Sequence, residues 1–547
     1  MKRFLPLCLL PAALFLITCT QKKAYNADLI VINAQVYTVD SAFSTVKAFA
    51  VKGGKILATG SVDEITAKYD AAEKIDAKGK AVFPGFIDAH AHFFEYGTSL
   101  QQADLSGTKS WEALLDTLQK FSPRSGEGWL MGRGWDQNDW PDKQFPDKRL
   151  LDSLYPTRPV LLSRIDGHAA IVNQAALDIA GVKPGQTIRG GDIITQNGRL
   201  TGVLVDNAVG IVTRKIPPPD DEHTRQAFID AQERCFGVGL TTVDDCGLGY
   251  PLVNIIQQLN RKGDLKMRMY VMLSDDSVNY DYLVKRGPIK TPLLNVRSFK
   301  VYADGALGSR GACLLQDYSD RPKWKGFLLS DTVHFRRVAK VIAEHNFQMN
   351  THAIGDSANR TILNIYASVL KGRNDRRWRI EHAQVIDPAD MHLFGDNNII
   401  PSVQPTHATS DMYWAAKRLG ATRLRSAYAY RKLMGENGWI PLGTDFPVES
   451  INPLHTFYAA VERRDLKGFP AAGFQTENAL SRQEALRGIT IWAAKANFEE
   501  QEKGSIEPGK YADFVILDQD IMTIKGNQIP KTHVLQTYVN GEKVYGK

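Results

Sequence analysis

Cysteine is scarce in this chain. There are five in 547 residues, at positions 8, 19, 235, 246 and 313, and no CxxC pair occurs among them. That excludes a disulfide framework and a cysteine zinc ribbon. Cys235, Cys246 and Cys313 read as small core residues with at most one chance bridge, so any bound metal must be held by histidine, carboxylate or a rarer ligand. Charge of one sign is also lacking: 67 Lys and Arg stand against 60 Asp and Glu, a net charge of +7, and the basic residues are scattered. No nucleic-acid footprint follows from that distribution. Residues Phe4 to Ile17 form an apolar run, but one too short to span a bilayer comfortably. The length and the ordinary apolar content, 43%, do allow a large buried core.

The N-terminus reads as an export signal. Lys2 and Arg3 precede the apolar run, which ends in Leu16-Ile17-Thr18-Cys19. This tetrapeptide resembles a bacterial lipobox, with Thr18 the less usual residue. The resemblance implies a signal over residues 1–19, cleavage before Cys19 and lipidation of that cysteine. The mature chain would then be an exported, membrane-anchored lipoprotein facing the periplasm or cell exterior, with 21–26 as a polar tether.

Two separated regions carry β-rich patterns, 27–82 and 503–547. The second holds "HVLQTYVNGEKVYG" with an Asn-Gly hairpin signal. Neither can form a core alone, so they are expected to pair in one small β-sandwich built from both termini. Between them, over 83–502, strand-like and helix-like stretches alternate, which is the pattern of a parallel α/β domain. Eight strands are expected: Ala81–His90, Leu240–Cys246, Arg268–Leu273, Ser298–Asp304, Phe347–Ala353, Trp378–His382, Ile399–Gln404 and Ile440–Thr444. Eight such strands predict a closed (β/α)₈ TIM barrel. "VHFRRVAKVIAEHN", "ANRTILNIYASVLKG" and "PLHTFYAAVERR" have helical apolar spacing. The gap after strand one is too long for a single crossover, so about 100–219 must be an insertion, expected to roof the active-site face.

"FPGFIDAHAHF" is the strongest local signal. Residues two apart on a strand share a face, so His90 and His92 would aim together at the barrel mouth. This motif, with the terminal "GSIEPGKYADFVILD", resembles the amidohydrolase superfamily. "GRGWDQNDWP", "RIDGHAAIVN", "FKVYADGALGSRGA", "THAIGDSANR" and "EHAQ" are most similar to its YtcJ-like, or amidohydrolase-3, branch. The similarity spans essentially the whole mature chain. By strand position, His352, His382 and Asp445 also fall at C-terminal strand ends, where barrel enzymes place reactive groups. A divalent metal, one or two per subunit and zinc foremost, would supply these polar groups with a shared partner.

The resemblance implies a metal-dependent hydrolase acting on a non-peptide C–N bond of a small amide or N-acyl compound by metal-activated hydroxide. His90, His92 and Asp445 would hold one metal, and His352 and His382 the second. Lys300 would bridge them as an N6-carboxylysine, its amine pKa depressed by burial and cations. A mononuclear site with unmodified Lys300, and a lysine in a surface salt bridge, are the other readings. Asp445 would also be the catalytic proton carrier. His168, Trp135, Asp136, Asp304, Gly305 and Arg310 are candidates to contact substrate. Gly311 departs from the usual Thr after "GSR", which bears on loop shape. The remaining histidines read as structural, His407 least securely. An ester, lactone or cyclic imide substrate, or a non-catalytic surface binding lipoprotein, are the competing functions. The expected partners are a small-molecule substrate and, through Cys19, a membrane, with a homodimer possible and no nucleic acid.

Overall fold

The computed structural model describes residues 27–546. The signal and the Cys19 anchor lie outside the described residues. No described helix is long and apolar enough to cross a membrane.

The two terminal regions meet as expected. A four-stranded sheet is formed by Lys55–Gly60, Ala48–Lys52, Ala27–Ile32 and Ala71–Asp76. A second, six-stranded sheet takes Glu542–Tyr545, Val534–Val539 and Phe514–Leu517 from one end of the chain, and Ala81–Pro84, Gln35–Tyr37 and Thr45–Val46 from the other. The join is antiparallel, with Val515 opposite Phe83. Alternating side chains from the two sheets make the core: Phe514 stacks on Tyr538 at 4.3 Å and meets Phe49 edge-on at 5.1 Å. The Asn540-Gly541 turn has φ of 54° and 72°, as a two-residue primed hairpin turn requires.

The expected first strand, Ala81–His90, is in fact two. Ala81–Pro84 belongs to the sandwich and Phe86–Ala91 to the barrel. Gly85 makes the transfer, because a Cβ there would lie 2.2 Å from Thr241 Oγ1 on the neighbouring strand. Seven parallel strands follow around the barrel: Phe86–Ala91, Leu240–Leu248, Arg268–Ser274, Leu294–Tyr302, Gln348–Ala353, Arg379–His382 and Ile400–Ser402. The eighth position, expected at Ile440–Thr444, is no regular strand. It closes the barrel through a parallel bridge between Val403 and Leu442 and a bond from Ala89 N–H to Leu442 O of 3.2 Å. Gly443 permits the close approach, since a Cβ there would stand 2.6 Å from His90 N.

The insertion after barrel strand one folds on a sheet of its own. Its six strands lie between Ala103 and Asp206, and its apolar core is separate, around Leu105, Leu114, Leu130, Trp135, Leu162 and Ile171. Helices cover the outside of the barrel. One, Thr332–Glu344, starts where the Asp331 carboxylate accepts from His334 N–H, and it buries Phe335, Val338, Ala339 and Ile342.

Candidate metal centre

The barrel strands bring the six expected residues together. His90 is the penultimate residue of strand one and His92 follows just past its end, their rings 5.7 Å apart. Asp445, just past the closing segment, places Oδ1 at 3.4 Å from His90 Nε2 and 3.2 Å from His92 Nε2. His382, from strand six, has its ring 4.8 Å from that of His90 and 4.5 Å from that of His352. Lys300, fully buried on strand four, sets Nζ 3.1 Å from His90 Nε2. One histidine that the sequence left as structural joins them. His407 opens the helix after strand seven and reaches Asp445 Oδ2 at 3.1 Å, while its other nitrogen is 3.2 Å from Glu449 Oε1. Two sets of side chains can each converge on one cation: His90, His92 and Asp445, and His382, His407 and Asp445. Asp445 belongs to both. His352, expected with His382 in the second set, lies beside it but outside both.

Buried carboxylates hold these ligands in place. Glu381, adjacent to His382 and unforeseen, takes the His90 Nδ1 hydrogen at 2.6 Å, which leaves Nε2 as the free ligand atom. Asp88, the acid of the "FIDAHAH" motif, accepts from Thr444 N–H at 2.9 Å and Thr444 Oγ1–H at 2.7 Å, tying the closing segment to strand one. Asp245 accepts from the Phe93 and Phe94 amides, both at 3.1 Å, and so fixes the turn after His92. The backbone is strained at two ligands, with φ of 65° at Asp445 and 72° at His382. A bond from Asp445 N–H to His90 O of 2.7 Å braces the first of them.

Electrostatics keep the imidazoles ready for coordination. Burial, with the Lys300 charge, pushes His90 down to about 4. Burial also drives His352 and His382 well below the usual imidazole range. These rings are therefore neutral near pH 7, as metal ligands must be. His407 moves the other way: burial opposes its charge, but bonds to Asp445 and Glu449 outweigh burial and raise it to about 10. Asp445 stays ionised, because His407, His90, His92 and His382 overcome the burial that would neutralise it. Lys300 corrects an expectation. Burial disfavours its ammonium, yet Tyr302, Cys246, Glu381 and Asp445 hold its pKa above the usual lysine range. Depression of that amine therefore needs cations; these residues alone do not produce it. Three buried ligand-type atoms, His352 Nε2, His382 Nδ1 and Asp445 Oδ1, have no hydrogen-bond partner. Unpaired buried polar atoms are costly, and one or two divalent cations fit this donor set.

The ligands form the floor of a cavity of about 740 Å³, walled by the insertion and the loops after strands four, seven and eight. His168 lines it, with its ring 5.0 Å from that of His352 and 6.3 Å from that of Tyr302. Asp136 also lines it, in an ion pair with Arg164. Three expected substrate contacts lie elsewhere. Trp135 is wholly buried in the core of the insertion, its indole N–H bonded to Leu162 O at 2.8 Å and its ring stacked on Trp140. Asp304 is equally buried and accepts from the amides of Cys313, Ile354 and Gly355, fastening one loop to another. Arg310 turns away to Asp320, at 3.2 and 3.0 Å. Cys235, Cys246 and Cys313 are free thiols, so no chance bridge forms.

Comparison with known proteins agrees with this geometry. The profile described as the amidohydrolase family matches residues 73–545. The chain is 33% identical to Protein LONG AFTER FAR-RED 3 of Arabidopsis thaliana, over 95% of this chain and 92% of that one. It is 25% identical to the N-substituted formamide deformylase of Arthrobacter pascens, over 94% and 97%. An uncharacterized metal-dependent hydrolase from Pyrococcus horikoshii OT3 superposes with a TM-score of 0.74 at 26% identity, over 91% of this chain and 99% of that one. With histidines and a shared aspartate gathered at the mouth of a parallel barrel, the chain belongs to the amidohydrolase family, in its YtcJ-like branch, and is a metal-dependent hydrolase of that type.

Proposed function

We propose that this enzyme hydrolyses the C–N bond of a small N-acyl compound, with N-substituted formamides and acetamides the first class to try. The observation that carries the reading is the sharing of Asp445 between two ligand sets at the floor of the cavity that the insertion walls. His90, His92 and Asp445 would hold one cation, and His382 and His352 a second. A bound divalent ion supplies polarisation of the acyl carbonyl and a lowered water pKa. The chain supplies the rest. Glu381 fixes the tautomer of His90. His407 steadies Asp445 through Oδ2, leaving Oδ1 toward the strand-one histidines. Asp445 takes the proton of the attacking water and returns it to the leaving nitrogen. The similar deformylase acts on N-substituted formamides by its name, and that similarity supports this choice of bond.

Lys300 enters the proposal as a carbamate. Once the buried ammonium beside His90 has lost a proton, its amine would add CO₂ and release a second proton to give an anionic carbamate suited to cations, and labelled bicarbonate would give a ¹³C carbamate resonance in the zinc-loaded protein. Export and acylation at Cys19 complete it, and the mass of the natural N-terminus tests that part. The decisive experiment is metal analysis of the purified protein, followed by a panel of N-formyl and N-acetyl amines with matched esters and lactones. Amine release that a chelator abolishes and zinc restores is expected. Full activity in metal-free protein, or turnover of the esters alone, overturns the reading.

A further inference from the structure

We propose that Asp206 is a positioning residue, and that it aims His168 from the insertion as the roof's own acceptor for the N–H of a substrate amide held over the metal ligands. The inference rests on the amide-hydrolysis reading above. It starts from strand pairing. His168 immediately precedes strand Ala169–Val172, Asp206 ends strand Arg199–Asp206, and Ala169 lies opposite Val205. The pairing sets residues 168 and 206 side by side. Asp206 then holds its neighbour twice, by a bond from its amide to His168 O of 2.7 Å and by Oδ1 on His168 Nδ1 at 2.6 Å.

The side-chain bond decides what His168 can offer. With the Nδ1 hydrogen given to the carboxylate, Nε2 is the atom left for the cavity. The ring stands against both His352 and Tyr302, which are themselves 5.3 Å apart, the latter being the strand-four residue two beyond Lys300. The N–H of a substrate amide, or of the leaving amine, bound above the metal ligands would donate to Nε2 from the roof.

The setting of Asp206 shows that the chain makes room for this carboxylate. It is completely buried and its second oxygen, Oδ2, has no partner. A buried carboxylate with one hydrogen bond is a poor structural anchor. Two glycines of the loop after strand four clear the space around it. A Cβ on Gly305 would fall 2.3 Å from Oδ2, and one on Gly311 would fall 2.2 Å from the same atom. Gly311 is the position where the sequence departs from the expected threonine. Its bareness has a consequence: the loop that follows Lys300 can pack against the carboxylate that holds His168.

The test uses full-length protein labelled with ¹⁵N-histidine, with acetohydroxamate as an N–H-bearing probe of the zinc-loaded form. Wild type is expected to show His168 protonated at Nδ1, with the Nε2 resonance moving as the probe binds. Asp206→Ala, and Gly311→Ala, which keeps both side chains but crowds Oδ2, should average the two tautomers and weaken the probe about tenfold or more. Zinc content should be unchanged in both. On a hydrolysed amide, Asp206→Ala and His168→Gln should each lower kcat/KM about 10–100-fold, and the double variant no further. An unaltered tautomer signature in Asp206→Ala, unchanged probe affinity, or additive losses overturn the assignment. Wild-type protein that binds the probe through His168 yet cleaves no amide keeps the assignment and removes the amide reading.

Discussion

The floor and the roof of the cavity are built by different rules. On the floor each ligand leaves the end of a strand or the closing segment beside it, and buried carboxylates brace the ligands: Glu381 behind His90, Asp88 behind the Asp445 segment. On the roof the cavity-facing groups come from loops of a separate sheet, and the large aromatics beside them, Trp135 and Trp140, turn inward to a core of their own. Chemistry sits on the rigid layer and selection on the adjustable one, the division that barrel enzymes generally show. The contrast also has a thermodynamic side. Floor substitutions should change metal content and rate together, whereas roof-core substitutions should change folding without touching the metal.

That division can be broken most directly at Asp445. Asp445→Asn should lower kcat/KM by about 10²–10⁴-fold, since proton transfer and a shared ligand are lost together; near-wild-type turnover would place the chemistry elsewhere. Lys300→Ala comes next, with bound metal and rate falling in parallel, read by elemental analysis beside steady-state kinetics. Full occupancy with wild-type rates would remove Lys300 from the site. Glu381→Gln sharpens the claim that the floor extends beyond the ligands, because zinc affinity should fall about 10–100-fold in a competition titration while the fold persists. From the roof, Trp135→Phe should cost about 1–3 kcal/mol in a denaturant melt of the metal-free protein and leave kcat/KM unaltered; a lost rate would return Trp135 to the substrate surface. The smallest effect is spectroscopic. An imidazole of ordinary pKa, 6.5, would be mostly protonated at pH 5.5. Since burial lowers His352 and His382, both should stay neutral there, with ¹⁵N shifts flat from pH 7 to 5.5 in metal-free protein.

The same contrast governs what the sequence disclosed. Strand periodicity announces residues by face, so His90, His92, His352 and His382 could be placed from their positions at strand ends, whereas Lys300 was marked by the family resemblance of its strand. Gly85 hid the division of the first strand, because Ala81 to His90 is one apolar run and only the approach of Thr241 separates it into two sheets. The closing segment was read as a strand from "IPLGT", although its pairing is a single bridge. His407 carried a weaker signal. It begins a helix, where periodicity says nothing about a cavity, and its "PSVQPTH" context was the one cue. Glu381 stood in plain view in "RIEHA", but alternation assigns it the face opposite His382, and the positive φ at His382, which breaks that alternation, is not legible in the sequence. Trp135, Asp304 and Arg310 misled for a common reason. Aromatic and charged residues near a predicted mouth have several ways to satisfy themselves locally, and a backbone amide, an indole stack or a nearby carboxylate reached them first.

Where the barrel closes, its first and last segments meet through backbone bonds from Ala89 N–H to Leu442 O, Asp445 N–H to His90 O and His92 N–H to Phe446 O, helped by one carboxylate gripping Thr444 and one glycine lying flat against His90. A ring is as strong as its seam. Ligands for the same ion stand on both sides of this one, His90 and His92 on the near edge and Asp445 on the far edge. A cation seated there acts as a clasp, and its binding energy adds to the stability of the folded state. The metal-free protein is accordingly expected to open first between Ala89 and Leu442, with amide exchange fastest along that line and slowed by zinc.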